Sequence, residues 1–301
     1  MKIKKKVAIL MAAYEGEKFL IDQISSILDQ KNVEIKIFIN LDKSNDRSFS
    51  IITSLSKKYK CIKLISYNKR YGSAAINFLN LILSVNFEKF DFISLSDQDD
   101  IWMPNKLITA INKLEELNYD VYSSNALSFS NKSKKIILKS QKQTDLDFIF
   151  EGGGPGCTYL CKKDFMINFQ AALNKKKFMI NSVWSHDWLI YAYARIYNYK
   201  WYIDSNYYIY YRQHNNNQLG ANIGFKQHLF RFKEVISGNV FDYSRTNLII
   251  CDEVKNNIFV KFLNKNKKSY FFILLNFYKL RRKIGDKIIL FILSIILILI
   301  K

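Results

Sequence analysis

Over its first hundred residues this chain alternates four times between a short apolar run of strand type and a polar or amphipathic stretch. Residues 7–13, 33–41, 61–66 and 91–96 have the length and apolar content of strands. Between them, 17–30 places Leu20, Ile24, Ile27 and Leu28 on one helical face, a second helix runs to about Lys58, and 72–85 carries Ala75, Phe78, Leu79 and Ile82. Strand and helix in strict alternation predict an α/β fold built on a doubly wound, mostly parallel sheet. Ligands of such sheets bind beyond the carboxyl ends of the strands. The residues that follow each strand are therefore the first place to look for chemistry.

The fourth strand ends in Ser96-Asp97-Gln98-Asp99-Asp100-Ile101-Trp102, three carboxylates within four positions. Alternate residues of an extended chain share a side, so Asp97 and Asp99 are expected on one face. Two such carboxylates stay charged together only with a cation or strong donors nearby. Mg²⁺ or Mn²⁺ holding phosphate oxygens would supply that cation. A solvated acidic turn, with Asp100 near the start of the helix announced by Pro104, is the plainer alternative. Asp42 follows the second strand in Asp42-Lys43-Ser44-Asn45-Asp46, where it either contacts a base or ribose or caps the next helix. No GxGxxG or Walker pattern follows the first strand, which argues against dinucleotide and P-loop chemistry.

Beyond the acidic run, 104–117 reads as a helix, 119–129 as a strand and 131–147 as a basic, polar loop or hairpin. Gly152-Gly153-Gly154-Pro155-Gly156 demands an unusual backbone, as a tight turn or a close approach to a ligand. Ser185-His186-Asp187-Trp188 opens a helix, where Asp187 is either a cap or a general base. Strand-like 200–203 and 207–211 lead into Arg212-Gln213-His214-Asn215-Asn216-Asn217, a set of polar heads suited to a phosphate or metal. The tail differs. Residues 269–283 mix aromatic and basic side chains, and 288–300 are almost wholly apolar but shorter than the roughly 18 to 20 residues that span a bilayer. Interfacial anchoring and a buried core helix both fit that pattern.

With 301 residues and 49% hydrophobic content, the chain can build one large α/β domain with an appendage. Its formal net charge of +20 points to an anionic partner, whether nucleic acid, lipid or phosphorylated substrate. The abundance of Lys, Asn, Ile, Phe and Tyr equally reflects an AT-rich genome. Cys61, Cys157, Cys161 and Cys251 form no zinc or disulfide pattern and fit a reducing cytoplasm. The basic, briefly apolar start reads as a first strand and not as a signal peptide.

These motifs, in this order, resemble the family 2 glycosyltransferases, inverting enzymes on the type A fold, and especially bacterial rhamnosyltransferase-like members of O-antigen and surface polysaccharide synthesis. The resemblance spans about residues 5–235 and rests on Met11-Ala12-Ala13-Tyr14-Glu15, Leu41-Asp42, Asn68 to Phe78, the acidic run, Gly154-Pro155-Gly156-Cys157, Ser185-His186-Asp187-Trp188 and Tyr211-Arg212-Gln213-His214. It implies that Ala13, Tyr14, Glu15, Asp42, Asn77, Asp97 and Gln98 bind the nucleotide sugar. Asp99, Asp97 and His214 would hold Mn²⁺ or Mg²⁺, and Asp187 would be the catalytic base. Gly154, Arg212 and Trp188 would meet acceptor or diphosphate. One departure is that the family's usual Asp-Asp pair after the second strand is Leu41-Asp42 here, so base recognition rests on Asp42.

The implied partners are a nucleotide-diphosphate sugar, a polyprenyl-diphosphate-linked saccharide acceptor and the membrane surface, with no nucleic acid. The expected organisation is a glycosyltransferase domain over 1–235 and a helical, membrane-associating region over 236–301. The implied location is cytoplasmic, peripheral on the inner face of the cell membrane. Two other readings keep their own tests. Genuine spanning helices would favour a polyprenyl-phosphate glycosyltransferase, and none is evident in the sequence. A basic membrane-surface or RNA-binding module would respond to neither divalent ions nor nucleotide sugars.

Overall fold

The structure, a computed structural model, describes residues 4–130, 133–214, 234, 237–251 and 263–300. Its centre is strand β1 (Lys5–Ala13), whose side chains are buried alternately on opposite faces of the sheet. Ala8, Leu10 and Ala12 join one core, and Val7, Ile9, Met11 and Ala13 the other. A continuous apolar run is what a strand covered on both sides requires.

Strands β2 (Val33–Asp42), β3 (Ile62–Lys69) and β4 (Phe92–Ser96) join it in parallel, in the order β3-β2-β1-β4. The crossover helices α1 (Leu20–Leu28) and α2 (Ser48–Lys58) lie on one face, and α3 (Ala74–Ser84) lies on the other. Ser73 caps α3 by accepting the Ile76 N–H at 3.2 Å.

The second half extends the sheet with mixed pairing. β5 (Ile101–Trp102), β6 (Val121–Phe129), β7 (Lys134–Ile137), β8 (Leu160–Lys162) and β9 (Trp201–Arg212) complete nine strands among the described residues. β8 runs antiparallel to both β4 and β6, and β6 runs parallel to β9. The segment read as a loop or hairpin is a hairpin, with β7 antiparallel to β6. Helix α4 (Lys106–Glu116) covers the same face of the sheet as α1 and α2, while α5 (Lys163–Lys175) and α6 (His186–Ile196) pack with α3.

The tail forms helices α7 (Asn239–Cys251), α8 (Lys267–Leu280) and α9 (Ile284–Ile300). Phe241, Tyr270, Ile273, Leu280 and Leu297 from these helices enter the same core as α3 and α6. Phe277 of α8 meets Phe291 of α9 with ring centroids 5.0 Å apart. The expected boundary at 235 and the polar run 215–217 lie outside the described residues.

Candidate active site

β1 and β2 end side by side, with Ala13 in register with Leu41, and this delivers Tyr14, Glu15 and Asp42 to one mouth. A cavity of about 140 Å³ lined by Leu41, Asp42, Lys43, Ser44, Tyr67 and Asn68 opens there. Asp42 is buried, and its carboxylate accepts the N–H groups of Lys43, Tyr71 and Gly72 at 2.9, 2.9 and 3.0 Å. It thus ties β2 to the loop before α3 while forming part of the cavity wall. Tyr14 is 46% exposed, free to offer its ring to a ligand.

Two residues expected to touch the nucleotide brace the backbone around its expected site. Gln98 accepts the Tyr14 N–H at 2.8 Å and donates to the Tyr14 carbonyl at 2.7 Å. A Cβ on Gly16 would lie 2.4 Å from Gln98 Oε1, so only glycine admits this clasp. Asn77 reaches the carbonyls of Asn40 and Ala13 at 3.3 and 3.5 Å, which holds the ends of β2 and β1 together.

β4 stops at Ser96, so the turn, and not strand alternation, arranges the carboxylates. This corrects the expectation that Asp97 and Asp99 share a strand face. Ligand atoms of Asp97, Asp100 and Cys157 all lie within 4.8 Å of one another. Asp99 Oδ2 is 2.7 Å from His214 Nε2, and that imidazole stacks on Phe19 at 4.7 Å. Arg212 latches the turn, with its N–H on Asp100 at 3.2 Å, Nε on the Asp99 carbonyl at 2.9 Å and Nη2 near Asp22 at 3.3 Å. The two-residue β5 pairs with β9 and brings Arg212 into place.

Burial, then the charges of Asp99 and Asp187, push Asp97 up to about 7. Asp100 is raised well above the usual carboxylate range by burial and then by Asp99 and Asp97. Its Oδ2 is buried without a hydrogen-bond partner. A carboxylate cluster this short of positive charge fits a hard divalent cation. The adjoining imidazole of His214 could add one nitrogen to a set of oxygen donors of the kind that Mg²⁺ and Mn²⁺ prefer. Burial raises the Cys157 thiol well above its ordinary range, so it stays protonated and acts as a donor to the carboxylates.

Lys106 of α4 completes the back wall. Its buried amine donates to Ser94 Oγ at 3.1 Å and lies 3.6 Å from the Trp102 ring centroid. Burial lowers it to about 7 against the pull of Cys157 and Asp100. Sequence reasoning missed Lys106, Cys157 and the inward turn of Asp100. The one available signal was a lysine four residues before Ala110, on the apolar stripe of α4.

At the start of α6, Ser185 is the N-cap and accepts the Trp188 N–H at 3.5 Å, so capping does not depend on Asp187. Asp187 lies in the first turn, accepting from the Trp188 N–H at 2.7 Å and from the Ser185 hydroxyl. Burial pushes it up to about 6, opposed by the Trp188 N–H, the Lys139 charge and the Gly156 N–H. A carboxyl with that value next to the acidic cluster can take a proton near neutral pH. Its neighbour His186 turns inward instead. It stacks on Phe78 at 4.1 Å, and burial lowers it to about 3.

The glycine turn closes this side. A Cβ on Gly156 would lie 2.7 Å from His186 Nε2 and 3.3 Å from Asp187 Cβ, and one on Gly153 would lie 2.6 Å from the Trp201 indole. Gly154 has φ +145°, and its carbonyl accepts the Tyr159 hydroxyl at 3.1 Å. Trp188, expected at the acceptor, is buried in the core with its indole N–H on the Phe148 carbonyl at 2.8 Å.

The sequence matches the description Glycosyl transferase family 2 over residues 8–178. It is 38% identical over 291 residues to the dTDP-rhamnosyl transferase RfbG of Shigella flexneri, covering 95% of this chain and 99% of that protein. A UDP-Glc:alpha-D-GlcNAc-diphosphoundecaprenol beta-1,3-glucosyltransferase, WfgD of Escherichia coli, is 26% identical over 151 residues, 50% of this chain and 57% of that one. Among solved structures, S. aureus TarS 1-349 in complex with UDP-GlcNAc aligns with a TM-score of 0.58 at 14% identity, covering 96% and 79% of the two chains. The mannosyltransferase PcManGT of Pyrobaculum calidifontis, in complex with GDP-Man and Mn2+, gives 0.51 at 12% identity over 99% and 88%. At these identities the structural likenesses speak to the fold, which is glycosyltransferase type A.

Proposed function

The chain belongs to glycosyl transferase family 2, and on that premise we propose that it moves a rhamnosyl group from a dTDP-linked donor to a lipid-linked saccharide in surface polysaccharide synthesis. The observation that carries this reading is the meeting of Asp187, poised at about 6, with the acidic cluster at the carboxyl edge of the sheet. Ala13, Tyr14, Glu15 and Asp42 form the mouth for the nucleotide, with Gln98 and Asn77 keeping its backbone in shape. Asp97, Asp99 and His214 are the residues that would hold Mn²⁺ or Mg²⁺, and a bound divalent ion supplies positive charge to the diphosphate leaving group. Arg212 and the backbone at Gly154 stand on the diphosphate and acceptor side.

In this reading the acceptor hydroxyl gives its proton to Asp187 as its oxygen attacks the anomeric carbon. The carbon–oxygen bond to the diphosphate breaks, the nucleoside diphosphate leaves, and direct displacement inverts the anomeric centre. No covalent enzyme intermediate is needed.

Peripheral membrane attachment belongs to the same proposal. Among the described residues no helix is long and apolar enough to cross a membrane. α9 nevertheless exposes Ile284, Ile288, Ile292 and Leu299, and α8 exposes Phe271 and Leu275. A lipid surface would cover that stripe.

The test is incubation with a panel of nucleotide sugars and a lipid-linked acceptor, following nucleoside diphosphate release. Release with dTDP-rhamnose that requires acceptor supports the reading, and release with none of the panel defeats it.

A further inference from the structure

The elbow between α8 and α9 places two arginines under the glycine turn. The Arg282 side chain is fully buried. Its Nη2 donates to the Gly152 carbonyl at 2.7 Å and lies 3.2 Å from Glu151, and its Nε stands 3.7 Å from Asp147. The Arg282 backbone N–H donates to Glu151 at 2.8 Å. Arg281 beside it reaches the Phe150 carbonyl at 2.8 Å. Burying a guanidinium is unfavourable unless paired groups replace its lost hydration, and a simple membrane anchor would have no need of it. The partners chosen here are the backbone and side chain that open the 152–156 turn.

That turn leads directly to Asp187. A Cβ on Gly152 would lie 3.5 Å from both N and Cα of Trp188, and Gly156 abuts Asp187 Cβ. Tyr159 Oη donates to the Gly154 carbonyl at 3.1 Å and reaches the Asp187 carbonyl at 3.4 Å. The path from Arg282 through Gly152 to the first turn of α6 has no intervening side chain.

We infer that Arg282 is a positioning residue for the acceptor side of the site, so that the C-terminal hairpin shapes transfer as well as location. The inference rests on the reading of Asp187 as the base. Displacing a reacting group by about 1 Å lowers rate by up to about 10²-fold, and a loosened turn acts on the acceptor step alone, because the nucleotide mouth lies on β1 and β2.

The experiment compares full-length Arg282→Lys and Glu151→Gln with wild type. It measures transfer kcat, KM for donor and for acceptor, and melting temperature. Arg282→Lys keeps a cation but cannot serve Gly152 and both carboxylates at once. We expect its transfer kcat to fall at least about 10-fold with donor KM unchanged, and Glu151→Gln to fall in the same direction by less. Should Arg282→Lys fail to fold, Glu151→Gln alone decides. Wild-type transfer in the folded variants would overturn the inference, as would donor KM worsening in step with kcat and melting temperature. Asp187→Asn is run alongside. Wild-type turnover there overturns the proposed function and this inference with it, whereas a slow Asp187→Asn beside a wild-type Arg282→Lys removes this inference alone.

Discussion

Asp187 is held by Ser185 and the Trp188 N–H in a setting that an amide would occupy equally well. Asp187→Asn should therefore fold, bind donor as wild type does, and transfer on the order of 10² to 10⁴-fold more slowly. Turnover with a donor titration in the same preparation checks both halves. Because the base works deprotonated, wild-type transfer should climb about tenfold per pH unit up to about 6 and then level. Stability runs the other way. The folded carboxyl sits above its unfolded value of about 4, so its contribution is present at low pH and is lost as pH rises from there to about 6. Asp187→Asn should accordingly melt above wild type at pH 7 and converge with it near pH 4. Equal melting temperatures across that range would return Asp187 to an ordinary first-turn residue. Asp99→Asn makes a separate case, since it keeps the shape that meets His214 at 2.7 Å while removing a charge. It should abolish the thermal shift that Mn²⁺ gives with nucleotide, and an undiminished shift would move the metal to other ligands.

At the scale of elements, the glycine turn and β9 are packed so closely that one methyl group separates two outcomes. Gly153→Ala would drive a Cβ to within 2.6 Å of the Trp201 indole, which is buried and fixed by a 2.8 Å hydrogen bond to Ser123. Overpacking of that kind typically costs about 1–3 kcal/mol, readable as a lower urea midpoint, and nucleotide binding at the β1–β2 mouth should survive. An unchanged midpoint would mean that the turn yields. Sequence period sufficed for β1 to β4 and α1 to α4 because each carries its own apolar run or stripe. It could not reveal β5 or β8, whose two and three residues become strands only by pairing with β9, β4 and β6. β9 was legible only as two pieces, since Asp204 interrupts the apolar run. In the fold that residue is buried, with its carboxylate taking the Tyr122 hydroxyl at 3.1 Å. Strand-end carboxylates announce themselves by type and position. Cys157 and Arg282 do not, because what each one meets comes from an element more than 50 residues away, and Lys106 does not, because Ser94 and Trp102 close on it only when β4 and β5 pack against α4.

The whole molecule combines a +20 net charge with an apolar stripe on its last helices. Full-length protein should sediment with anionic vesicles, less with neutral ones, and less again as salt rises. Removing residues 284–301 should release it to the supernatant while leaving measurable transfer to a water-soluble acceptor, since Arg281 and Arg282 remain. Aggregation of that variant would show that the packing of Leu293 and Leu297 against the protein outweighs any lipid contact. On the proposed reading, the strand-end residues and the C-terminal helices serve one act, the joining of a nucleotide-linked sugar to an acceptor beside Asp187. The most direct measurement is a transfer assay with purified full-length protein, dTDP-rhamnose, Mn²⁺ and a lipid-linked saccharide, scoring released dTDP and glycosylated lipid together. The predicted result is equal amounts of both products, lost in EDTA and cut at least about 10²-fold by Asp187→Asn. Products formed at the wild-type rate in Asp187→Asn, or dTDP released without any glycosylated lipid, would contradict it.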